Sequence, residues 1–288
     1  SLFNFSLNRN EILELPEGVD QYVYGGNRIT LVAQKGGSLG DMWGTGLKTV
    51  TDPNSPYYGQ VIFKNGLVQE DNTLRKIGNF NPDFMLGWTN EFRYKNFALS
   101  FLFDYRQGGN LLSATRLIAA TSGNVVETLW GREPEFGGAH PGIYDSGLSY
   151  TSGGVNYTDG VIGDGVKEVT GADGTVTYVQ NDVTVPANAY HNNRYRRQNE
   201  TEGLYDATFI KLREARLSYE IPSSVLNSNV FRKVTLSLIG NNLFLWAKDF
   251  NHGDPELLSF GGGRFVPGVE NATVPSARSA GFSVKVDF

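Results

Sequence analysis

Long stretches of the chain alternate between apolar and polar residues. From 84 to 94 the even positions hold Phe84, Leu86, Trp88, Asn90, Phe92 and Tyr94, and the odd ones hold Met85, Gly87, Thr89, Glu91 and Arg93. Side chains two apart share a face of a strand, so one face is aromatic and aliphatic and the other mostly polar or small. After the polar pair Lys95-Asn96, Phe97, Leu99, Phe101, Phe103 and Tyr105 continue the rhythm against Asn96, Ala98, Ser100, Leu102 and Asp104. This predicts a hairpin of two strands of about eleven residues, well beyond the usual five or six.

The same rhythm recurs elsewhere. Phe3, Phe5 and Leu7 alternate with Asn4, Ser6 and Asn8. Val234, Leu236, Leu238, Phe244 and Trp246 share a parity, interrupted by Gly240 and Asn242. Phe282, Val284, Val286 and Phe288 oppose Ser283, Lys285 and Asp287. Residues 204–220 read as one more long strand, with Lys211, Arg213, Glu214 and Arg216 in its middle. Weaker signals suggest strands at 29–34 and 60–63, a short helix over 110–121, and a small hairpin over 169–179. That hairpin turns at Asp173-Gly174, a pair that tolerates positive φ.

The connections fall into two classes. Those at 95–96 and 221–229 are short, and those at 108–203 and 249–275 are very long. Long irregular loops are uncommon in compact domains unless functional. Short turns alternating with long loops are what a membrane barrel predicts. A soluble, secreted β-sandwich that binds carbohydrate is the alternative, since its strands also have one apolar face. Three features favour lipid: strands long enough to cross an outer membrane when tilted, aromatics at strand ends (Trp88, Phe92, Tyr94, Tyr105, Tyr219, Trp246, Phe288), and an opposite face of small and polar residues suited to a wet lumen. The expected fold is all-β, part of an antiparallel transmembrane β-barrel with long extracellular loops.

Composition agrees. The 288 residues include 35 Gly, 18 Phe and 14 Tyr but only 2 Met and no Cys, a β-rich profile. The net charge of −5 gives no basic footprint for nucleic acid. No apolar run reaches the ~18 residues of a membrane helix, which says nothing against a barrel. The first residues, SLFNFSLNRN, lack the leader, apolar core and cleavage site of a signal peptide. They read as the middle of a strand, which suggests a portion of a longer protein.

Candidate chemistry is sparse. His140, His191 and His252 fall in predicted loops without metal-ligand spacing, and no GxSxG is present. Gly44 to Thr49 lacks the spacing and Gly-Lys pair of a phosphate loop. No cofactor motif is found, and the chain is not expected to be an enzyme. Asp249, Asp254 and Glu256 are weak candidates for a hard cation, though a turn rich in Asp, Gly and Pro accounts for them as well. Arg194, Arg196 and Arg197 form a small basic cluster suited to phosphate or an acidic partner. In the longest loop, Trp130, Phe136, Tyr144, Tyr150, Tyr157 and Tyr190 supply aromatic faces. Of these, Trp130, Tyr144, Tyr157 and Tyr190 are the candidate ligand platforms, because a ring face suits the apolar face of a sugar.

Several motifs resemble a known family. Tyr205-Asp206-Ala207-Thr208-Phe209-Ile210-Lys211-Leu212-Arg213-Glu214, continuing to Pro222, resembles a strand of the SusC-like (SusC/RagA) TonB-dependent transporters of Bacteroidetes outer membranes. Residues 234–249, the following Gly253-Asp254-Pro255-Glu256, the closing stretch 275–288 and the hairpin around 78–109 are similar to other parts of that family. The resemblance implies a 22-stranded barrel, filled by an N-terminal plug, that imports oligosaccharides or peptides. It further implies TonB and a SusD-like surface lipoprotein as partners, in contact with outer-membrane lipid. Residues 1–288 then correspond to a C-terminal portion of the barrel, with 108–203 as an extracellular loop insertion and the plug lying outside. Phe288 would be the terminal aromatic that marks the closing strand for membrane assembly.

Overall fold

The computed structural model describes residues 1–26, 28–132, 150–152, 155–157, 160–226, 230–256, 259–261 and 264–288. Its largest element is a six-stranded sheet. The strands are β1 (Leu2–Ser6), β2 (Phe84–Tyr94), β3 (Phe97–Gln107), β4 (Phe209–Glu220), β5 (Lys233–Ala247) and β6 (Ser279–Asp287). Each pairs antiparallel with the next, so chain order is spatial order. The sheet is open among the described residues, and β1 and β6 are its edges.

The register joins the apolar positions across strands. Phe3 lies opposite Trp88, Trp88 opposite Phe103, and Phe103 opposite Leu212. Leu217 lies opposite Leu99 and Leu238, and Leu238 opposite Phe282. One face is therefore apolar from edge to edge. Aromatic contacts stiffen it: the Trp88 ring stacks on Phe3 at 5.8 Å and meets Phe101 edge-on at 5.1 Å. The other face carries Asn4, Thr89, Ser100, Asp104, Ser218, Ser237 and Ser283.

The pattern holds through two irregularities. The register shifts between Leu212 and Glu214 against both neighbouring strands. Opposite, Asn242 has φ 52, a left-handed conformation that asparagine tolerates. The interruption expected at Gly240 and Asn242 is thus a bulge inside a continuous 15-residue strand. The strand expected over 204–220 is two. A stretch at Leu204–Asp206 ends where the Asp206 carboxylate accepts the Thr208 amide at 2.9 Å, a local turn, and β4 begins at Phe209.

The connections segregate by end. Residues 95–96 and 221–232 link strands at one end of the sheet, and 7–83, 108–208 and 248–278 link them at the other. The short link is tight: Lys95 has φ 51, and Asn96 Nδ2 donates to the Glu220 carbonyl at 2.8 Å.

The long connections are not irregular coil. They interweave into a cap with its own small sheets. Strands Gln21–Gly25, Thr30–Gln34, Asp41–Leu47 and Glu70–Asn79 form one of them. The hairpin Val166–Thr170/Val176–Gln180 adds Ile62–Lys64 and Leu67–Val68 to form a second. The hairpin turns at Gly174, φ 82, as its sequence predicts. In a third, Asn110–Ser113 pairs antiparallel with Leu204–Asp206 and parallel with Val269–Glu270. The helix expected over 110–121 is therefore shorter. Helix α1 (Ala114–Thr121) starts after Ser113, whose Oγ accepts the Arg116 amide at 3.0 Å as an N-cap. Helix α2 (Ala187–Arg194) packs on α1.

The buried cores lie in the cap. Ile29, Leu31, Met42, Leu112, Leu117, Val266 and Val269 form one, and Leu47, Phe63, Val68, Val161, Val185, Ala187 and Tyr190 another. Of the six strands, only Phe209 contributes a buried hydrophobic residue among the described residues.

Candidate functional site

The sheet presents two chemically distinct faces. On the apolar one, large side chains are uncovered: Phe3 and Phe282 are each 63% exposed, and Leu238 58%. No second sheet is paired with this one among the described residues. A row of this size facing water would be costly at about 25 cal/mol per Å² of apolar surface. The arrangement therefore fits an apolar surrounding.

On the polar face, a charged cluster sits where β4 meets the cap. The Lys211 ammonium, with its side chain 4% exposed, bonds Asp254 at 2.6 Å and Glu256 at 2.9 Å. Arg213 bridges Asp104 of β3 and Glu256. Lys211, Arg213 and Asp104 reach this face by strand parity, whereas the two carboxylates arrive from the 248–278 connection. That connection is thereby fastened over the polar face. Burial pushes the Asp254 carboxyl up, but bonds from Lys211, Ser276 and the Glu256 amide outweigh it and hold the group below its ordinary range.

Asp249 stands apart, accepting the Asp206 amide at 3.0 Å, while Lys248 bonds the Asp206 carboxylate at 2.6 Å. The three acids proposed for a cation are thus divided. Two neutralise Lys211 and Arg213, and the third caps a backbone amide. Among the described residues, no group of three acidic or histidine side chains has metal-binding geometry. Lys211, Arg213 and Asp104 were not singled out as partners of these acids. The available signal was two cations two residues apart, on one face of a membrane-length strand.

The aromatic candidates separate. Tyr190 is 4% exposed and belongs to a cap core, so its ring is packing and not an open platform. The Trp130 ring, 38% exposed, meets it edge-on at 5.4 Å. Tyr157 lies in the strand Val155–Tyr157, paired with Tyr150–Ser152. Tyr144, Phe136 and His140 lie outside the described residues.

His191 is buried beside Tyr190, with Nε2 2.9 Å from the Trp130 carbonyl and Nδ1 unpartnered. Burial lowers its pKa, and Arg132 and Arg194 oppose a positive charge further. His252 stacks edge-on with Phe250 at 4.7 Å. The basic cluster is largely spent within the cap: Arg194 bonds Glu202 at 2.7 Å, and Arg196 pairs with Glu70 at 3.0 Å. Gly44 and Gly46 lie within a strand and form no phosphate loop.

Comparison with known proteins agrees with this architecture. No family model matches the chain. It is 24% identical over 275 residues to TonB-dependent receptor P3 of Formosa agariphila, and 27% identical over 228 residues to TonB-dependent receptor P26 of the same organism. These alignments cover 88% and 78% of the chain but only 23% and 19% of the relatives, so the chain spans about a quarter or less of their length. In fold it matches the RagAB peptide transporter, with a TM-score of 0.55 over 98% of this chain and 26% of that one, at 16% identity. The RagAB peptide importer in its closed-closed state gives 0.54. In sequence and in fold, the chain is similar to a portion of the SusC/RagA-like TonB-dependent receptors.

Proposed function

We propose that the chain forms part of the barrel of an outer-membrane, TonB-dependent importer of oligosaccharides or peptides. The observation that carries this reading is the apolar face, uncovered across six adjacent strands and backed by a polar one. A tilted strand of about ten residues with this alternation matches a bilayer on one side and a wet lumen on the other. The edges at β1 and β6 then pair with further strands, completing the 22-stranded barrel that the family resemblance implies. TonB-dependent receptors among its relatives and the fold of the RagAB peptide transporter support the same reading.

Sidedness follows. The three long connections form the extracellular cap, including 108–203, and the two short ones are periplasmic turns. Trp130 and Tyr157 stand in this cap, where loops carry specificity on a rigid scaffold. A SusD-like lipoprotein covers the cap, and TonB acts through a segment outside these residues. The Phe288 ring packs on Phe231 at 5.6 Å.

Fractionation of the full-length protein tests the proposal. It should remain with outer membranes through high-salt and alkaline washes and require detergent for release. Substrate uptake should stop when TonB is deleted. A detergent-free soluble monomer would overturn the reading.

A further inference from the structure

Two segments of the cap meet at a buried imidazole. Helix α2 carries His191, and the stretch 126–132 lies against it. His191 Nε2 is 2.9 Å from the Trp130 carbonyl. A carbonyl only accepts, so Nε2 carries the ring's hydrogen and Nδ1 keeps a lone pair. That Nδ1 is buried and has no hydrogen-bond partner. Among the described residues, the bond to Trp130 is the one hydrogen bond between 126–132 and α2. Beside it, the Trp130 ring meets Tyr190 edge-on at 5.4 Å.

Nothing around the imidazole welcomes a second proton. Aromatic rings enclose it: Tyr195 stacks on it at 6.3 Å, and Tyr190 and Trp130 stand edge-on at 5.2 and 6.3 Å. The charges that face it are cations, Arg132 from the 126–132 side and Arg194 from α2. Arg132 is held in place, with Nη2 donating to the Gly123 carbonyl at 2.6 Å and to Thr128 at 3.0 Å. Arg194 is held too, donating to the Tyr190 hydroxyl at 3.0 Å. The neighbouring carboxylates are already engaged. Glu202 bonds Arg194 at 2.7 Å, and Glu127 is paired with Arg116 of α1. Where α1 meets α2, Thr121 donates its hydroxyl to the Tyr195 carbonyl and leaves the imidazole untouched.

A proton on Nδ1 would therefore make a buried cation with neither acceptor nor counter-ion, beside two guanidiniums. Separation of α2 from 126–132 would let water solvate the same imidazolium. Acid thus favours the separated form. We propose that His191 is an acid-released clasp, which fastens the stretch 126–132 to α2 at neutral pH and lets it go in mild acid. The sign follows from linkage. Above the ordinary value of 6.5 neither form takes the proton, and the clasp is at full strength. As pH falls below it, only the separated form does, so the opening constant rises by up to about tenfold per pH unit. The inference concerns the cap alone and does not rest on the import reading.

Hydrogen exchange of the full-length receptor in detergent tests it, with rates corrected for the intrinsic chemistry at each pH. Between about pH 7.5 and about pH 5.5, amides of 126–132 and 187–194 should open at least about threefold and up to about tenfold more often. Strands β2 and β3 should not follow. His191→Gln keeps a donor at the Nε2 position and cannot titrate, so it should match the wild type at the higher pH and lose the acid response. His252→Gln removes another histidine of the cap and should leave the response in place. A wild-type rise below about threefold overturns the proposal. So does an undiminished acid response in His191→Gln, or its loss in His252→Gln. The wild-type measurement decides by itself if His191→Gln loosens the cap at both pH values.

Discussion

The large sheet and the cap are made of the same chain but place their apolar residues in opposite ways. In the cap, Leu31, Met42, Phe63 and Leu112 are sealed inside, as in a protein that meets water on every side. In the sheet, Phe3, Leu238, Phe244 and Phe282 point outwards, and the buried side chains include Ser237 and Lys211. Each arrangement is stable only in its own surroundings. The cap minimises contact between apolar surface and water, whereas under the proposed barrel reading the sheet supplies apolar surface to hydrocarbon. The boundary between them is the level of Lys211 and Arg213, where charges are paired across strand and connection.

Substitutions at that boundary should have the largest effect. Lys211→Ala leaves Asp254 and Glu256 without their shared buried cation, and loss of one partner from such a cluster costs about 3–5 kcal/mol. Urea unfolding of the full-length protein should show a loss of that size, with the cap destabilised first. A change under 1 kcal/mol would mean that the cluster is not holding the connection down.

The next test compares the two faces of one strand. Leu238→Arg places a charge in the apolar row, which costs about 2–4 kcal/mol near the bilayer midplane, whereas Ser237→Arg places it on the lumen side at little cost. Levels of assembled protein in the membrane should fall for the first and hold for the second. Equal effects would remove the distinction between the faces.

Within the cap, ordinary water-soluble rules should apply. Ser113→Ala removes the N-cap of α1 and the bond its hydroxyl donates to the buried Glu270 carboxylate at 2.6 Å; together these should cost about 2–3 kcal/mol, read as faster hydrogen exchange over residues 114–121 with β2 and β3 unaffected.

The smallest effect concerns pH. The folded pKa of His191 lies below its ordinary value of 6.5. Above that value both folded and unfolded forms are neutral, and stability is at its full level. As pH falls below it, the unfolded chain takes a proton that the folded one refuses, so stability is lost. Cap unfolding should therefore become easier from about pH 6.5 downwards, and His191→Asn should flatten that slope. An unchanged slope would assign the acid sensitivity to the carboxylates.

The two regions also differed in how much their sequence disclosed. The six strands were legible because each meets only two environments, and a two-residue period is written locally in stretches such as 84–94 and 97–107. The cap was not. Its defining pairings, Leu112 with Val269 and Val166 with Ile62, are parallel and join distant segments. No local period encodes them, so 108–203 read as loop with one helix and one hairpin. Leu111 and Leu112 read as helical for the same reason: their apolar character suits a helix face or a strand, and their partners Tyr205 and Leu204 decided it. At the site, acidic density drew attention to Asp254 and Glu256 but could not reveal Lys211, 43 residues from Asp254. Tyr190 shows the converse limit, since an aromatic residue in a predicted loop reads the same whether it packs a core or offers a platform.

These 288 residues include no cysteine, so within them an introduced cysteine is the one thiol. Cysteines placed one at a time at 235–238 and 281–284 of the full-length protein can carry a fluorophore in bilayers containing a lipid-attached quencher. The account predicts strong quenching at 236, 238, 282 and 284 and weak quenching at 235, 237, 281 and 283, with a water-soluble quencher giving the reverse. Uniform quenching along these stretches, or aqueous access at 238 and 282, would contradict it.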